Sequence, residues 1–176
     1  GGNKMTEKPY LVIPSEKWHK EYLSFYHEWK NSGEDFVPWI IGKDPSNFPA
    51  LLQQLNDFHA GRNINTGFVA NSTYLLISED EKVVGAVNIR HSLNETLHNQ
   101  GGHIGYGIAP SQRKKGYATK ILELALQKTQ KLGIKDVLVT CNASNIASEK
   151  TIIKNRGKQD TDFITKDGTI VKRYWI

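Results

Sequence analysis

The sequence predicts a single domain of the α/β class (α+β), with helices on both faces of a mixed, mostly antiparallel, twisted sheet. Its 176 residues, of which 38% are hydrophobic, are enough for one core and too few for two domains of typical size. Short β-prone segments alternate with amphipathic helical segments, and polar turns join pairs of strands into hairpins. We assign residues 6–176 to this domain. Residues 1–5 are interpreted as a tag or disordered start, because Gly1 and Gly2 precede Met5.

The first half of the chain is predicted to hold one strand, two helices and a hairpin. Residues 10–13 form the strand, and Ser15 is the candidate N-cap of the first helix. Residues 31–47 are a loop, residues 49–59 a second helix, and residues 72–78 and 83–90 a hairpin. Aromatic residues recur on the first helix at helical spacing: Trp18, Tyr22, Phe25, Tyr26 and Trp29. We interpret this stripe as core rather than as a stacking platform for a ligand, because a helix must bury one face.

The second half begins with a polar stretch, residues 91–100, that leads into a strand over 102–108. The following elements are a helix over 115–132 that Gly133 ends at its C′ position, a strand over 136–141 and a helix over 145–155. Residues 158–165 and 169–175 form a closing hairpin. The exposed edge of this hairpin could pair with a second copy, so the sequence allows a homodimer.

Charge and cysteine content limit the class of function. Lys and Arg outnumber Asp and Glu by 23 to 18, and the net charge of +5 suggests an anionic ligand without establishing a nucleic-acid binder. The single cysteine, Cys141, excludes an intrachain disulfide and a Cys-rich zinc site. No apolar run approaches the roughly 18 residues of a membrane helix, and no secretory leader opens the chain. We therefore expect a cytoplasmic protein with no membrane partner.

The most informative segment runs from Ile108 to Ala118, where a strand, a proline, a basic turn and a helix follow one another. Unpaired main-chain N–H groups at a helix N-terminus favour an anion. Gly116 and Ala118 leave room for phosphate oxygens to approach the backbone. Positive charge comes from Arg113, Lys114 and Lys115. The segment lacks the P-loop pattern, and we interpret it as a cradle for a pyrophosphate.

The same segment resembles the acyl-CoA signature of the GNAT acetyltransferase superfamily, written Gln/Arg-x-x-Gly-x-Gly/Ala, in the form Arg113-x-x-Gly116-x-Ala118. Ile108-x-Pro110 before the turn and Asn145-x-x-Ser148 at a helix start support the resemblance, which covers about residues 70–160. The Gly-Tyr-Ala-Thr start of the helix and Asn145-x-x-Ser148 are similar to the branch that acetylates protein N-termini and polyamines.

The resemblance implies a splayed pair of parallel strands, here 102–108 and 136–141. The pantetheine arm of acetyl-CoA would pair with the first strand, and its pyrophosphate would rest on the main-chain amides of 113–118. The implied cofactor-binding residues are Tyr106, Gly107, Ile108, Arg113, Lys114, Lys115, Gly116, Tyr117, Ala118, Thr119, Asn145 and Ser148.

The implied activity is an acetyl-CoA-dependent N-acetyltransferase that needs no metal, in which a primary amine attacks the thioester directly in a ternary complex. The oxyanion would be met by the main-chain N–H of Ile108. An amine of pKa about 10 must also lose a proton. The first candidate base is His103, on the strand where many relatives carry a glutamate. Glu95, His91 and His98 in the preceding polar stretch compete for this role, and the three histidines lack the spacing of a metal site.

The general acid is not fixed by the sequence. Members of the superfamily commonly carry a tyrosine seven residues after the asparagine, and this chain has Ile152 there. Ser148 acting through water, unaided departure of the thiol, and Tyr106 are the open alternatives. Cys141 is interpreted as a small core residue rather than as the nucleophile of a ping-pong mechanism.

The acceptor is expected to be a small-molecule or peptide amine, shaped by residues 31–48, the second helix and residues 91–101. Four acidic residues in these loops suit a cationic amine: Glu34, Asp35, Asp44 and Glu95. Two other classes stay open. One is a non-catalytic acyl-CoA-binding or sensor domain, suggested by Ile152, and the other is a basic RNA- or ribosome-associated module, suggested by the net charge.

Overall fold

The computed structural model describes residues 8–176, which form seven strands and five helices. In chain order these are β1 (Tyr10–Val12), α1 (His19–Ser32), α2 (Phe48–Ala60), β2 (Asn71–Ile77), β3 (Val83–Arg90), α3 (Glu95–Asn99), β4 (Ile104–Ile108), α4 (Tyr117–Lys131), β5 (Leu138–Asn142), α5 (Ile146–Lys154), β6 (Lys158–Ile164) and β7 (Ile170–Trp175). Short 3-10 helices cover Glu16–Trp18, Trp39–Gly42 and Pro110–Gln112. Residues 1–5, assigned to a tag by the sequence, lie outside the described residues.

The strands form two sheets, one with the order β1-β2-β3-β4 and one with the order β5-β7-β6. All ladders between the described strands are antiparallel, which agrees with the mostly antiparallel arrangement that the sequence predicts; the strands divide between two sheets where one was expected. The sheets meet at an isolated antiparallel bridge between Gly102 and Val139, where the chain bends through Gly102 with a φ of 63°. Beyond the bridge no ladder joins β4 to β5, and the Tyr106 hydroxyl of β4 reaches across to Ser148, which follows β5. The gap between them is the predicted splay.

Helices cover both faces of the first sheet, as predicted. On one face, α1 and α2 pack with β2 and β3 around the aromatic stripe of α1, whose five members are buried: Trp18, Tyr22, Phe25, Tyr26 and Trp29. On the other face, α4 and α5 enclose a second core with residues of β3, β4 and β5. The interpretation of the stripe as core is confirmed.

Local signals place most helix ends. The side chain of Asn145 accepts a hydrogen bond from the Ser148 N–H at 3.1 Å and caps α5. Gly133, with a φ of 78°, follows the last turn of α4. Ser15 makes no side-chain capping bond, because a 3-10 turn separates it from α1. The polar stretch 91–100 contains α3, which the sequence analysis did not predict.

Candidate active site

The edge of β4 that faces β5 presents main-chain groups to the gap between the sheets. The Arg90 N–H donates to the His103 carbonyl at 2.7 Å, and the Ala109 N–H donates to the Val84 carbonyl at 2.9 Å, so these groups point toward β3. Main-chain groups alternate sides along an antiparallel strand, so those of Tyr106 and Ile108 point into the gap. This edge can hydrogen-bond a linear ligand that carries amide groups.

The turn between β4 and α4 provides an anion site at a helix N-terminus. Lys114 and Gly116 have φ values of 61° and 85°, and Gly116 is the N-cap of α4. A Cβ atom placed on Gly116 would meet no heavy atom within 4 Å, so the space above the first turn of the helix is open. Lys114 and Lys115 are exposed beside it. The first N–H groups of α4 have no acceptor within a helix, and they favour a phosphate here.

The side chain of Arg113 turns away from this open space. Its Nε donates to the Ile108 carbonyl at 3.1 Å, and its Nη1 lies 2.9 and 3.0 Å from the two carboxylate oxygens of Glu34. The guanidinium also lies over the indole of Trp29, 5.6 Å from the ring centroid. The Nε and Nη1 atoms of Arg113 are therefore occupied by protein contacts in this structure.

His103 is buried and tied to β5. The ring Nδ1 of His103 accepts the Leu138 N–H at 3.0 Å, and the main-chain N–H of His103 donates to the Leu138 carbonyl at 2.8 Å. Burial, with a smaller effect of Arg90, lowers the pKa of His103. The neutral imidazole therefore carries its proton on Nε2 and has no free lone pair. This geometry favours a structural role for His103 over the base role predicted from the sequence.

The other candidates for the base are spread around the domain. Nε2 of His91 lies 2.7 Å from the Ser72 hydroxyl, whereas His98 lies beside Arg173. Glu95 is exposed in the first turn of α3. Within residues 8–176 no three His, Cys, Asp or Glu side chains come together in a way that could hold a metal ion.

A hydroxyl pair spans the gap between the sheets. Tyr106 OH and Ser148 Oγ are 3.0 Å apart, and burial raises the pKa of Tyr106. Ile152, at the position where the resemblance would place a tyrosine, is fully buried in the core. The pairing of Tyr106 with Ser148 joins residues 42 positions apart, and no local pattern in the sequence indicates it.

Cys141 lies near the same gap as a protonated thiol. Burial, followed by the charge of Glu149, raises its pKa to about 11. At neutral pH the thiolate that a nucleophile requires is scarce. The interpretation of Cys141 as a buried core residue is confirmed by its 8% exposure.

The loop after α1 lies across β4 on the side opposite α4. A Cβ on Gly107 would come 1.9 Å from the Val37 carbonyl oxygen and 2.7 Å from the Trp29 ring, so only glycine fits there. Trp39, which follows this loop, and Phe68 are exposed, and their ring centroids lie 5.9 Å apart. Among the acidic residues predicted to attract an amine, Glu34 is paired with Arg113. Asp44 accepts from the Ser46 N–H, which lowers its pKa.

A free strand edge that ends at an open helix N-terminus, within one α/β domain, suits a ligand that carries both amide groups and a phosphate. The family model described as the acetyltransferase (GNAT) domain matches residues 15–158, and the chain belongs to this family. Membership of this family identifies the chain as an acetyltransferase, as the resemblance implies. No curated protein matches the chain in sequence.

Solved structures share the fold. The ribosomal-protein-S5-alanine acetyltransferase from Vibrio fischeri has a TM-score of 0.71 at 13% identity, over 98% of this chain and 94% of that one. A spermidine N-acetyltransferase mutant from Vibrio cholerae has a TM-score of 0.63 at 16% identity, over 94% and 93%. The microcin C7 self-immunity acetyltransferase, solved with acetyl-CoA and AMP, has a TM-score of 0.64 at 15% identity, over 94% and 90%.

None of the helices within residues 8–176 has the length and apolar character needed to cross a membrane.

Proposed function

We propose that this chain transfers the acetyl group of acetyl-CoA directly to an amine in a ternary complex. The observation that carries the proposal is the free edge of β4, which leads from the gap between the sheets to the open N-terminus of α4. Acetyl-CoA supplies the thioester whose carbonyl carbon the amine attacks. The chain binds this cosubstrate, positions the amine and stabilises the charge that develops.

The cofactor site in this proposal is formed mainly by the backbone. The main-chain amides of 113–118 hold the pyrophosphate, and the exposed ammonium groups of Lys114 and Lys115 add attraction. Tyr117, Ala118 and Thr119 contribute the first turn of α4. Asn145 lies at the far wall of the gap, where it also caps α5.

The oxyanion is assigned to the N–H of Ile108. The alternation of β4 aims this group into the gap, and Arg113 Nε holds the carbonyl of the same residue, in the next peptide unit, at 3.1 Å. A preorganised main-chain donor at this point stabilises the tetrahedral intermediate and costs no rearrangement during reaction.

The acceptor in this proposal is a peptide α-amine. His103 has no free lone pair, and Glu95 lies on the exposed side of α3, so the amine is expected to enter largely deprotonated. An α-amino group of pKa about 7.7–8.0 is roughly 30% neutral at about pH 7.5, whereas an alkyl amine of pKa about 10.4 is about 0.1% neutral. A site without a strong base therefore favours the α-amine by about two orders of magnitude.

The leaving thiolate receives its proton from the hydroxyl pair. Ser148 lies on the β5 side of the gap and is hydrogen-bonded to Tyr106, which can replace the proton that Ser148 gives up. Solvent takes the proton that the amine nitrogen loses after attack and returns one to the pair, so no net proton is gained or lost. Glu95 is retained as a competing acid–base group, and Glu95→Gln tests it. A thiol pKa of about 8.5 means that this assistance is modest.

The test is CoA release from acetyl-CoA with short peptides, their N-terminally blocked forms and spermidine. We expect turnover with free α-amines, loss of turnover on blocking, and a kcat/KM that rises with pH up to the pKa of the amine. Tight acetyl-CoA binding without CoA release from any amine would favour the sensor alternative. Salt-dependent RNA binding that survives reversal of Arg113 and Lys114 would favour the RNA-associated one.

Cellular location and assembly complete the proposal. A cytoplasmic location is proposed from the sequence, and fractionation of cells tests it. A homodimer is proposed along β6, which lies at the edge of the second sheet and carries the exposed Ile164. Light scattering on the native chain and on Ile164→Lys measures whether this edge joins two copies.

A further inference from the structure

Two acidic residues attach the phosphate turn, residues 110–116, to the first helix and its following loop. Glu28 of α1 accepts from the Ser111 N–H at 3.0 Å and from the Ser111 hydroxyl at 2.7 Å. Glu34, in the acceptor loop (residues 33–38), accepts from Arg113 through both carboxylate oxygens. The turn that is proposed to bind the cosubstrate is therefore joined to the loop that lies over β4.

Arg113 links three parts of the site at once. Its guanidinium contacts Glu34, the Ile108 carbonyl and the face of Trp29. Nη1 contacts Glu34 while Nε contacts the Ile108 carbonyl, and two contacts from two nitrogens of one planar group fix the orientation of the guanidinium, which a single point charge would not do. The loop beyond Glu34 then places the Val37 carbonyl against Gly107, one residue before Ile108.

The charges also indicate which residues remain for the phosphates. The positive charge of Arg113 is paired with Glu34, whereas Lys114 and Lys115 are exposed next to the open N-terminus of α4. Nε and Nη1 of Arg113 are occupied by the Ile108 carbonyl and by Glu34, so a phosphate bound by these two nitrogens would displace both contacts.

We propose that Arg113 is a positioning residue, which holds the acceptor loop against the end of β4, and that its side chain is not a phosphate ligand. The inference rests on the proposed function and adds a coupling between the two substrates. It predicts that loss of the Arg113–Glu34 contact impairs use of the amine while leaving the binding of acetyl-CoA in place.

The deciding experiment compares Arg113→Gln, Glu34→Gln and the exchanged pair Arg113→Glu/Glu34→Arg. Both single variants should lower kcat/KM for the peptide about tenfold or more, mainly through KM, with the Kd for acetyl-CoA changed by less than about threefold. The exchanged pair should recover activity above either single variant, because it restores opposite charges across the loop. The two side chains are 41% and 48% exposed, so folding should survive each change.

Lys114→Gln is the matched control, because it removes one positive charge from the neighbouring position of the same turn. It should weaken acetyl-CoA binding in a salt-dependent way and leave the peptide KM unchanged. The inference is overturned if Arg113→Gln weakens acetyl-CoA binding tenfold while Glu34→Gln leaves kcat/KM for the peptide unchanged. An exchanged pair no better than the single variants would overturn it as well. Neither result bears on the proposed function, which fails if acetyl-CoA does not bind at Gly116.

Discussion

Replacing Gly116 with glutamate places a carboxylate in the proposed phosphate site. A Cβ at this position meets nothing within 4 Å, so the side chain fits the surrounding structure. The φ of 85° costs a non-glycine residue about 1–2 kcal/mol. For a domain of this size we expect the thermal midpoint to fall by about 2–4 °C for each kcal/mol lost.

The effect on the ligand should be much larger. A carboxylate about 5 Å from one phosphate charge, at an effective dielectric constant of about 20, opposes binding by about 3 kcal/mol. The same side chain also occupies space above the first N–H groups of α4. We therefore expect the affinity for acetyl-CoA to fall by more than about 100-fold.

The assay is calorimetric titration with acetyl-CoA, and Gly133→Glu is the matched control. Gly133 lies at the other end of α4 with a φ of 78°, and a Cβ there also meets nothing within 4 Å. The control should share the loss of stability and retain the native affinity. Gly116→Glu that binds acetyl-CoA within about threefold of the native chain would refute the assignment of this turn to the pyrophosphate.

Three further predictions concern the gap between the sheets. His103→Asn retains an acceptor for the Leu138 N–H, so turnover should stay near native, and a drop of about 10- to 1,000-fold would restore the base role. The pKa of His103 is lowered in the folded chain, so its stabilising effect is present above about pH 6.5 and is lost as the pH falls through the folded pKa. The thermal midpoint of His103→Asn should therefore fall less with decreasing pH than that of the native chain. Ser148→Ala should lower kcat by about tenfold to a hundredfold with an unchanged Kd for acetyl-CoA, and an unchanged kcat contradicts the relay through Tyr106. Cys141→Ala should keep most activity, since a thiol of pKa about 11 is not a nucleophile at neutral pH, and an acetylated Cys141 in the mass spectrum contradicts this.

Short-range signals in the sequence are sufficient for most helix ends and for the buried face of α1. The cap at Asn145 and the stop at Gly133 depend on neighbours within one helical turn, and both are confirmed in the structure. The periodic aromatic residues of α1 indicate the buried face for the same reason. The short helix α3 was missed because its cap, Asn94, lies in a stretch with no apolar period long enough to indicate a helix.

The chemistry of individual side chains depends on contacts across the fold, and the sequence could not supply them. The lone pair of His103 is occupied by Leu138, 35 residues later, so a histidine suited by its ordinary pKa to act as a base becomes part of a strand connection. Arg113 and Glu34 are 79 positions apart, and the motif around Arg113 alone suggests a phosphate ligand. A motif indicates where a ligand binds, but the partner of each charge determines which side chain is free to bind it.

The close approach of the Val37 carbonyl to Gly107 has a consequence for changing the specificity of this enzyme. Here the main chain of the loop lies directly against the main chain of β4, so shortening a side chain cannot widen the space between them. Even alanine at 107 would displace the loop. Variants selected for bulkier amines should therefore leave this crossing intact and accumulate changes at the exposed aromatic residues Trp39 and Phe68.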